Sequence, residues 1–235
     1  MPYRKLTIGI ASAALTIAGT ALWNQSDLAT AATLAAIGIP APVLDTPNPA
    51  KSDTAIFAGG CFWGVQGVFQ HVKGVRSAVS GYSGGSRTTA RYERVGSGDT
   101  GHAEAVRINY DPTQISYGTL LRIYFSVVAD PTTLNYQGPD HGTQYRTAIF
   151  PVTVDQKAVA ERYIAQLGKS GAWKRPIVTR VEPYKGFYPA EAYHQDYLAL
   201  NPGAFYIRAN DLPKVAALKA SFPTLYRAKP VLVKG

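Results

Sequence analysis

The stretch from Thr54 to Tyr82 constrains this chain more than any other. Residues 54–58, TAIFA, are a short apolar run that stops at Gly59-Gly60. From there the apolar positions fall at 62, 65, 68, 69 and 72, which is helical spacing, until Gly74 breaks the pattern. Val75–Tyr82 reads as extended again and closes at Ser83-Gly84-Gly85. Strand period, helix period and strand period, with glycines at each change, describe a βαβ unit. Such a unit needs a crossover connection and commits the chain to a sheet with helices packed on it.

The rest of the chain extends this pattern. Ala103–Tyr110 alternates as a strand and ends at Asp111-Pro112, and residues 116–128 are an apolar helix beginning at Ser116. Tyr145–Val152 reads as a strand, Asp155–Leu167 as a helix capped by Asp155, and Ile177–Glu182 as a strand. Residues 190–200 and 212–222 read as helices of a C-terminal segment. Polar stretches 86–102 and 129–144 read as long loops, which in compact domains are often functional. The expected fold is α+β, a two-layer sandwich with a mixed sheet and βαβ units, a ferredoxin-like core carrying a C-terminal extension.

Ahead of this domain, Arg4 and Lys5 precede 18 uncharged residues, 6–23. That is the pattern of a secretory signal, with a small-x-small site at Ala29-Thr30-Ala31. The run is also long enough for an uncleaved membrane anchor. Residues 1–31 are therefore expected to be a signal peptide or anchor, 32–50 a linker with prolines at 40, 42, 47 and 49, and 51–235 the folded domain. Export implies the periplasm, or the outer face of the inner membrane if the anchor stays. All of the formal charge of +9 lies after residue 50, yet no run of Lys or Arg occurs, so a solvated basic surface is expected rather than a nucleic-acid site.

One cysteine, Cys61, excludes an intramolecular disulfide. The histidines at 71, 102, 141 and 194 match no zinc spacing, so no structural metal is expected. A lone cysteine is by default a small buried hydrophobe. Cys61, however, follows a strand and two glycines at a helix start, where free N–H groups and the helix dipole favour a thiolate. The reading from residues alone leaves both possibilities open. Phe62 and Trp63 set two aromatic rings beside the sulfur.

The motifs Gly60-Cys61-Phe62-Trp63-Gly64, Gly81-Tyr82-Ser83-Gly84-Gly85, residues 98–104 (GDTGHAE), residues 140–146 (DHGTQYR) and residues 190–195 (AEAYHQ) together resemble the A-type peptide-methionine sulfoxide reductase family. The resemblance covers about residues 53–208. It implies an oxidoreductase of protein repair in the oxidative stress response, acting on the S epimer of methionine sulfoxide, free or in proteins. It assigns Cys61 as the nucleophile that becomes a sulfenic acid. Glu104 becomes the proton donor, a role that needs burial near Trp63 to keep it protonated. Tyr92 and Tyr145 would hydrogen-bond the sulfoxide oxygen, Asp140 would order the site, and Phe62 and Trp63 would enclose the S-methyl group. No bound cofactor is implied, and a monomer is expected.

The chain departs from the family pattern at Gln66, where Glu is usual, at Ala129, where His is common, and at Tyr136 and Pro139. It also lacks the second, resolving cysteine of many relatives. An external thiol, thioredoxin-like, glutaredoxin-like or small, must then reduce the sulfenic acid. Two other readings share some of these features. A one-cysteine peroxidase would need a cationic or hydroxyl group beside the sulfur, and a binding module for oxidised methionine would not need Cys61 or Glu104 at all.

Overall fold

β1 (Asp53–Gly59) is the central strand, and its alternation explains the two layers. Ala55 and Phe57 face one side and join the main core, while Ile56 and Ala58 face the other and pack with Ala103, Ala105, Ala148 and Phe150. A strand buried on both faces has no polar side, which is why residues 54–58 are a continuous apolar run. The computed structural model describes residues 38–47 and 53–233, so the expected signal or anchor at 1–31 lies outside the described residues.

The other elements are α1 (Phe62–Gln70), β2 (Val75–Ser83), β3 (Ala103–Tyr110), α2 (Tyr117–Ile123), a two-stranded ribbon β4 (Tyr136–Gln137) and β5 (Asp140–His141), β6 (Thr147–Ile149), α3 (Val154–Lys169), β7 (Arg180–Val181), β8 (Phe187–Pro189) and α4 (Leu212–Ser221). The main sheet has the order β7-β6-β1-β3-β2-β8. β3 pairs antiparallel with both β1 and β2, and β1 pairs antiparallel with β6. β1 and β2 are therefore parallel to each other with β3 between them, and β3 and β6 likewise flank β1. Only β6 and β7 pair in parallel. This is the expected α+β mixed sheet, with α1, α2 and α3 contributing to the core on one face.

Several element bounds differ from the expectation for identifiable reasons. The helix after Cys61 begins at Phe62, because Cys61 itself has non-helical angles. Ser116 caps α2 by accepting the Thr119 N–H at 3.1 Å, but the helix widens into a π turn at Tyr124–Val128. Within that turn the Tyr124 hydroxyl donates to Ala58 O at 2.7 Å, beneath the end of β1. The cap of α3 is Thr153, which accepts the Gln156 N–H at 3.1 Å, and Asp155 sits inside the first turn. The expected loops hold short structure: helical turns at Arg87–Thr89 and Tyr92–Val95 in one, the β4–β5 ribbon in the other. The expected helix 190–200 is broken in two by Asp196, whose φ of 60 is left-handed.

Residues 38–47, read from sequence as part of a linker, lie against the helical layer. Ile39 is buried, and its carbonyl accepts the Arg122 Nε–H at 2.9 Å. The Tyr163 hydroxyl donates to Pro40 O at 2.7 Å, and Asp45 accepts the Gly118 N–H at 2.8 Å. The C-terminal tail laces the far end of α1. Arg227 N–H donates to His71 O at 2.8 Å and Val231 N–H to Gln70 O at 3.0 Å. Lys73 N–H donates to Leu225 O at 2.7 Å, and Val233 N–H reaches Asp196 Oδ1 at 3.0 Å.

Candidate active site

A glycine pair ends β1 because the chain must turn sharply there beneath other atoms. Gly60 has φ +86, and a Cβ on it would stand 2.6 Å from Gln137 Cβ. The turn delivers Cys61 to the start of α1, at the mouth of a cavity of about 210 Å³ lined by Cys61, Phe62, Trp63, Tyr92, Glu104, Asp140, Tyr145 and Tyr206. All seven residues singled out from sequence line this one cavity. They come from four parts of the chain: the β1–α1 turn, the turn at 92–95, the start of β3, and the ribbon with the turn that follows it.

Glu104 is the electrostatic centre. Its carboxyl is 3% exposed, and Oε2 accepts the Phe62 N–H at 3.0 Å, one residue past the sulfur. Burial pushes its pKa up to about 8, with Asp140 and Asp211 adding to the rise and the Phe62 N–H opposing it. At neutral pH it is a protonated acid, as a proton donor must be.

At the sulfur, burial opposes the helix dipole. A helix N-terminus favours a thiolate, but Cys61 is only 9% exposed. Burial raises its pKa well above the usual thiol value, and Glu104 and Asp211 raise it further. The Trp63 backbone N–H and the Lys214 ammonium pull it back only partly. The resting site therefore holds a thiol beside a carboxylic acid.

The walls are aromatic. Phe62 is buried. Trp63 stacks on Tyr197 with centroids 3.8 Å apart, meets Tyr206 edge-on at 5.9 Å, and donates from Nε1 to His194 Nδ1 at 3.2 Å. That bond places the ring proton of His194 on Nε2, and burial lowers the pKa of the imidazole. Tyr92 is 37% exposed at the rim, its ring 4.4 Å from that of His194 and its N–H donating to Glu191 Oε1 at 3.0 Å. Burial raises the pKa of Tyr92 and Tyr145, so both hydroxyls keep their protons. Asp140 accepts a short hydrogen bond from the Tyr206 hydroxyl.

Sequence reasoning missed Tyr206 and the buried Asp211, which reach the site from the C-terminal segment. Their signal is weak, because one tyrosine among fifteen carries no mark of its own. Gln66 is fully buried on α1 and not a surface variation. Its Nε2 donates to Ala78 O at 3.0 Å and to Gln195 Oε1 at 2.9 Å, and its Oε1 accepts the Asp196 N–H at 2.8 Å. An ionised Glu here would lose both donated bonds and bury a charge.

The model of the peptide methionine sulfoxide reductase family matches residues 53–225. Among curated relatives, peptide methionine sulfoxide reductase MsrA 2 of Mesorhizobium japonicum is 64% identical over 81% of this chain and 97% of its own length. Peptide methionine sulfoxide reductase MsrA of Deinococcus radiodurans is 51% identical over 74% of this chain and 84% of its own. Among solved structures, methionine sulfoxide reductase A of Corynebacterium diphtheriae superposes with a TM-score of 0.57 at 31% identity, over 71% of this chain and 87% of that one.

Proposed function

This chain belongs to the peptide methionine sulfoxide reductase family and reduces methionine sulfoxide to methionine, and from that premise we propose how its residues carry the reaction. The Cys61 sulfur attacks the sulfoxide sulfur while Glu104 gives its proton to the sulfoxide oxygen. The thiol proton returns to the Glu104 carboxylate. The sulfoxide S–O bond and the sulfur–sulfur bond made in the attack both break as the oxygen passes to Cys61 and a Cys61 S–O bond forms. The sulfide leaves reduced by two electrons, and Cys61 is oxidised by two electrons to a sulfenic acid. The observation that carries this reading is the buried Glu104 carboxyl, protonated at neutral pH and bonded to the N–H of the residue after Cys61.

Tyr92 and Tyr145 hold their protons and donate to the sulfoxide oxygen. Phe62 and Trp63 enclose the S-methyl group, for which aromatic rings are good partners. The rigidly stacked Trp63 supports selection of the S epimer, since a mirror-image sulfur would exchange the methyl and oxygen positions. A single cysteine leaves the sulfenic acid to an external thiol. That thiol forms a mixed disulfide with Cys61 and releases water, and a second thiol then frees Cys61. A thioredoxin-like, glutaredoxin-like or small thiol fits this chemistry. The charge-free run after Arg4 and Lys5 supports export, with oxidised proteins outside the cytoplasm as substrates and a reductant supplied there.

The test is a single turnover with excess S-epimer sulfoxide and no reductant. About one methionine per chain, with Cys61 recovered as a sulfenic acid adduct, is expected. No methionine from a folded protein with a free thiol would overturn the mechanism.

A further inference from the structure

We propose that Asp211 and Lys214 form a positioning pair that governs the protons on Cys61 and Glu104 from behind the first turn of α1. The inference rests on the thiol–acid reading above and extends it to residues that do not touch the substrate cavity. Asp211 is 0% exposed, and its Oδ1 lies 3.4 Å from Lys214 Nζ. Its Oδ2 is buried with no hydrogen-bond partner. A carboxylate that is buried yet half-satisfied is costly to keep unless it serves the site.

The pair is aimed at the nucleophile's own helix. A Cβ built on Gly64 would stand 2.1 Å from Asp211 Oδ1 and 3.1 Å from Lys214 Nζ. Gly64 is the third residue after Cys61, and its missing side chain is the space the two charges occupy. Around the sulfur stand Glu104 from β3, Asp140 from the ribbon, the hydroxyls of Tyr92, Tyr145 and Tyr206, and the Asp211–Lys214 pair, with His194 held by Trp63 behind. Three carboxyl groups thus converge on one thiol, and the Lys214 ammonium opposes them there. In a low-dielectric site negative charge on Asp211 disfavours both the thiolate and the Glu104 carboxylate; burial raises the pKa of Asp211 itself, and the Lys214 ammonium pulls it back down. Lys214 offsets Asp211 at the sulfur.

The two residues therefore have separable signatures. Asp211 and Lys214 carry opposite charges beside Cys61, so removing one or the other shifts the thiol in opposite directions. The experiment measures two pH profiles on the full chain: alkylation of Cys61 by iodoacetamide without sulfoxide, which reads thiolate, and the alkaline limb of single-turnover reduction, which reads Glu104. Asp211→Asn is expected to move both limbs to lower pH, with alkylation at a fixed pH on the limb faster by about threefold or more. Lys214→Met is expected to move the alkylation limb to higher pH, opposite to Asp211→Asn, and Lys214→Arg to restore it. Gly64→Ala, which pushes the Asp211 carboxyl away, is expected to resemble Asp211→Asn. Unchanged profiles in folded Asp211→Asn and Lys214→Met proteins, even with lowered melting temperatures, would reduce the pair to a structural ion pair. Alkylation needs no sulfoxide, so it stands whether or not the reaction mechanism does.

Discussion

Replacing Glu104 by glutamine should abolish sulfoxide reduction and, at the same time, stabilise the fold by an amount set by pH. The carboxyl is 3% exposed and ionises at about 8, against 4.5 for an ordinary glutamate. In the unfolded chain it titrates at the ordinary value. Between the two values, folding must therefore put a proton back on it. Each unit of pH across that gap costs about 1.4 kcal/mol. The sign follows from the raised folded value. Below the unfolded pKa both states are protonated and the cost is absent, and stability is lost as pH rises until the folded pKa is passed. At pH 7 the wild-type protein carries about 3 kcal/mol of this penalty, and at pH 5 less than about 1 kcal/mol. Glutamine keeps the shape and an oxygen to accept the Phe62 N–H now held at 3.0 Å, but it has no charge to desolvate. Thermal and urea unfolding of both proteins from pH 5 to pH 7 are the assays. A domain of this size gains about 2–4 °C per kcal/mol, so the variant should melt roughly 6–12 °C higher at pH 7 and within about 3 °C of wild type at pH 5. A difference that does not change with pH, or a less stable variant at pH 7, would show that Glu104 is already ionised in the folded protein. It could then not be the proton donor.

Other perturbations have expected outcomes of their own. Cys61→Ser should give no methionine in a single turnover while its circular dichroism spectrum matches the wild type; residual turnover would move the nucleophile elsewhere. Gly60→Ala should destabilise the protein by roughly 2 kcal/mol or more, seen in the melting temperature, because it strains a φ of +86 and meets Gln137 Cβ at 2.6 Å. Tyr206→Phe removes the hydroxyl that Asp140 accepts from; a loss of about 1–3 kcal/mol in urea unfolding is expected, together with slower single turnover. Trp63→Phe leaves Tyr197 without its stacking partner at 3.8 Å and should raise KM for the sulfoxide more than it lowers kcat; an unchanged KM would remove Trp63 from the substrate wall.

The parts of the molecule legible in the sequence are those whose signal is local. β1 and β3 announce themselves by apolar alternation, and the catalytic candidates travel in short motifs in which a glycine or an aromatic marks the neighbour. The helix ends were less legible, because a cap is a matter of angles. Thr153 and Asp155 are equally good cap residues on paper, and only the chain direction into α3 decides for Thr153. The two π turns, at Tyr124–Val128 and Ile207–Asp211, leave no periodic trace. Tyr206 and Asp211 were invisible for a different reason. They join the site across long stretches of sequence, 66 residues between Tyr206 and Asp140, past a break at Asp196 that pattern alone reads as continuous helix. A helix start is visible in sequence, but the burial and the carboxylates that outweigh its dipole at Cys61 are not.

The lacing of the tail over the end of α1 gives the nucleophile a second foundation. α1 is a nine-residue rod whose near end is pinned at Phe62 by Glu104 and whose far end is tied at Gln70 and His71 by backbone hydrogen bonds from the tail. Pinned at both ends, it cannot pivot, and Cys61 keeps its bearing toward the acid. A cut near residue 224 would release one mooring of the rod and be felt at the sulfur, at the opposite end of the helix.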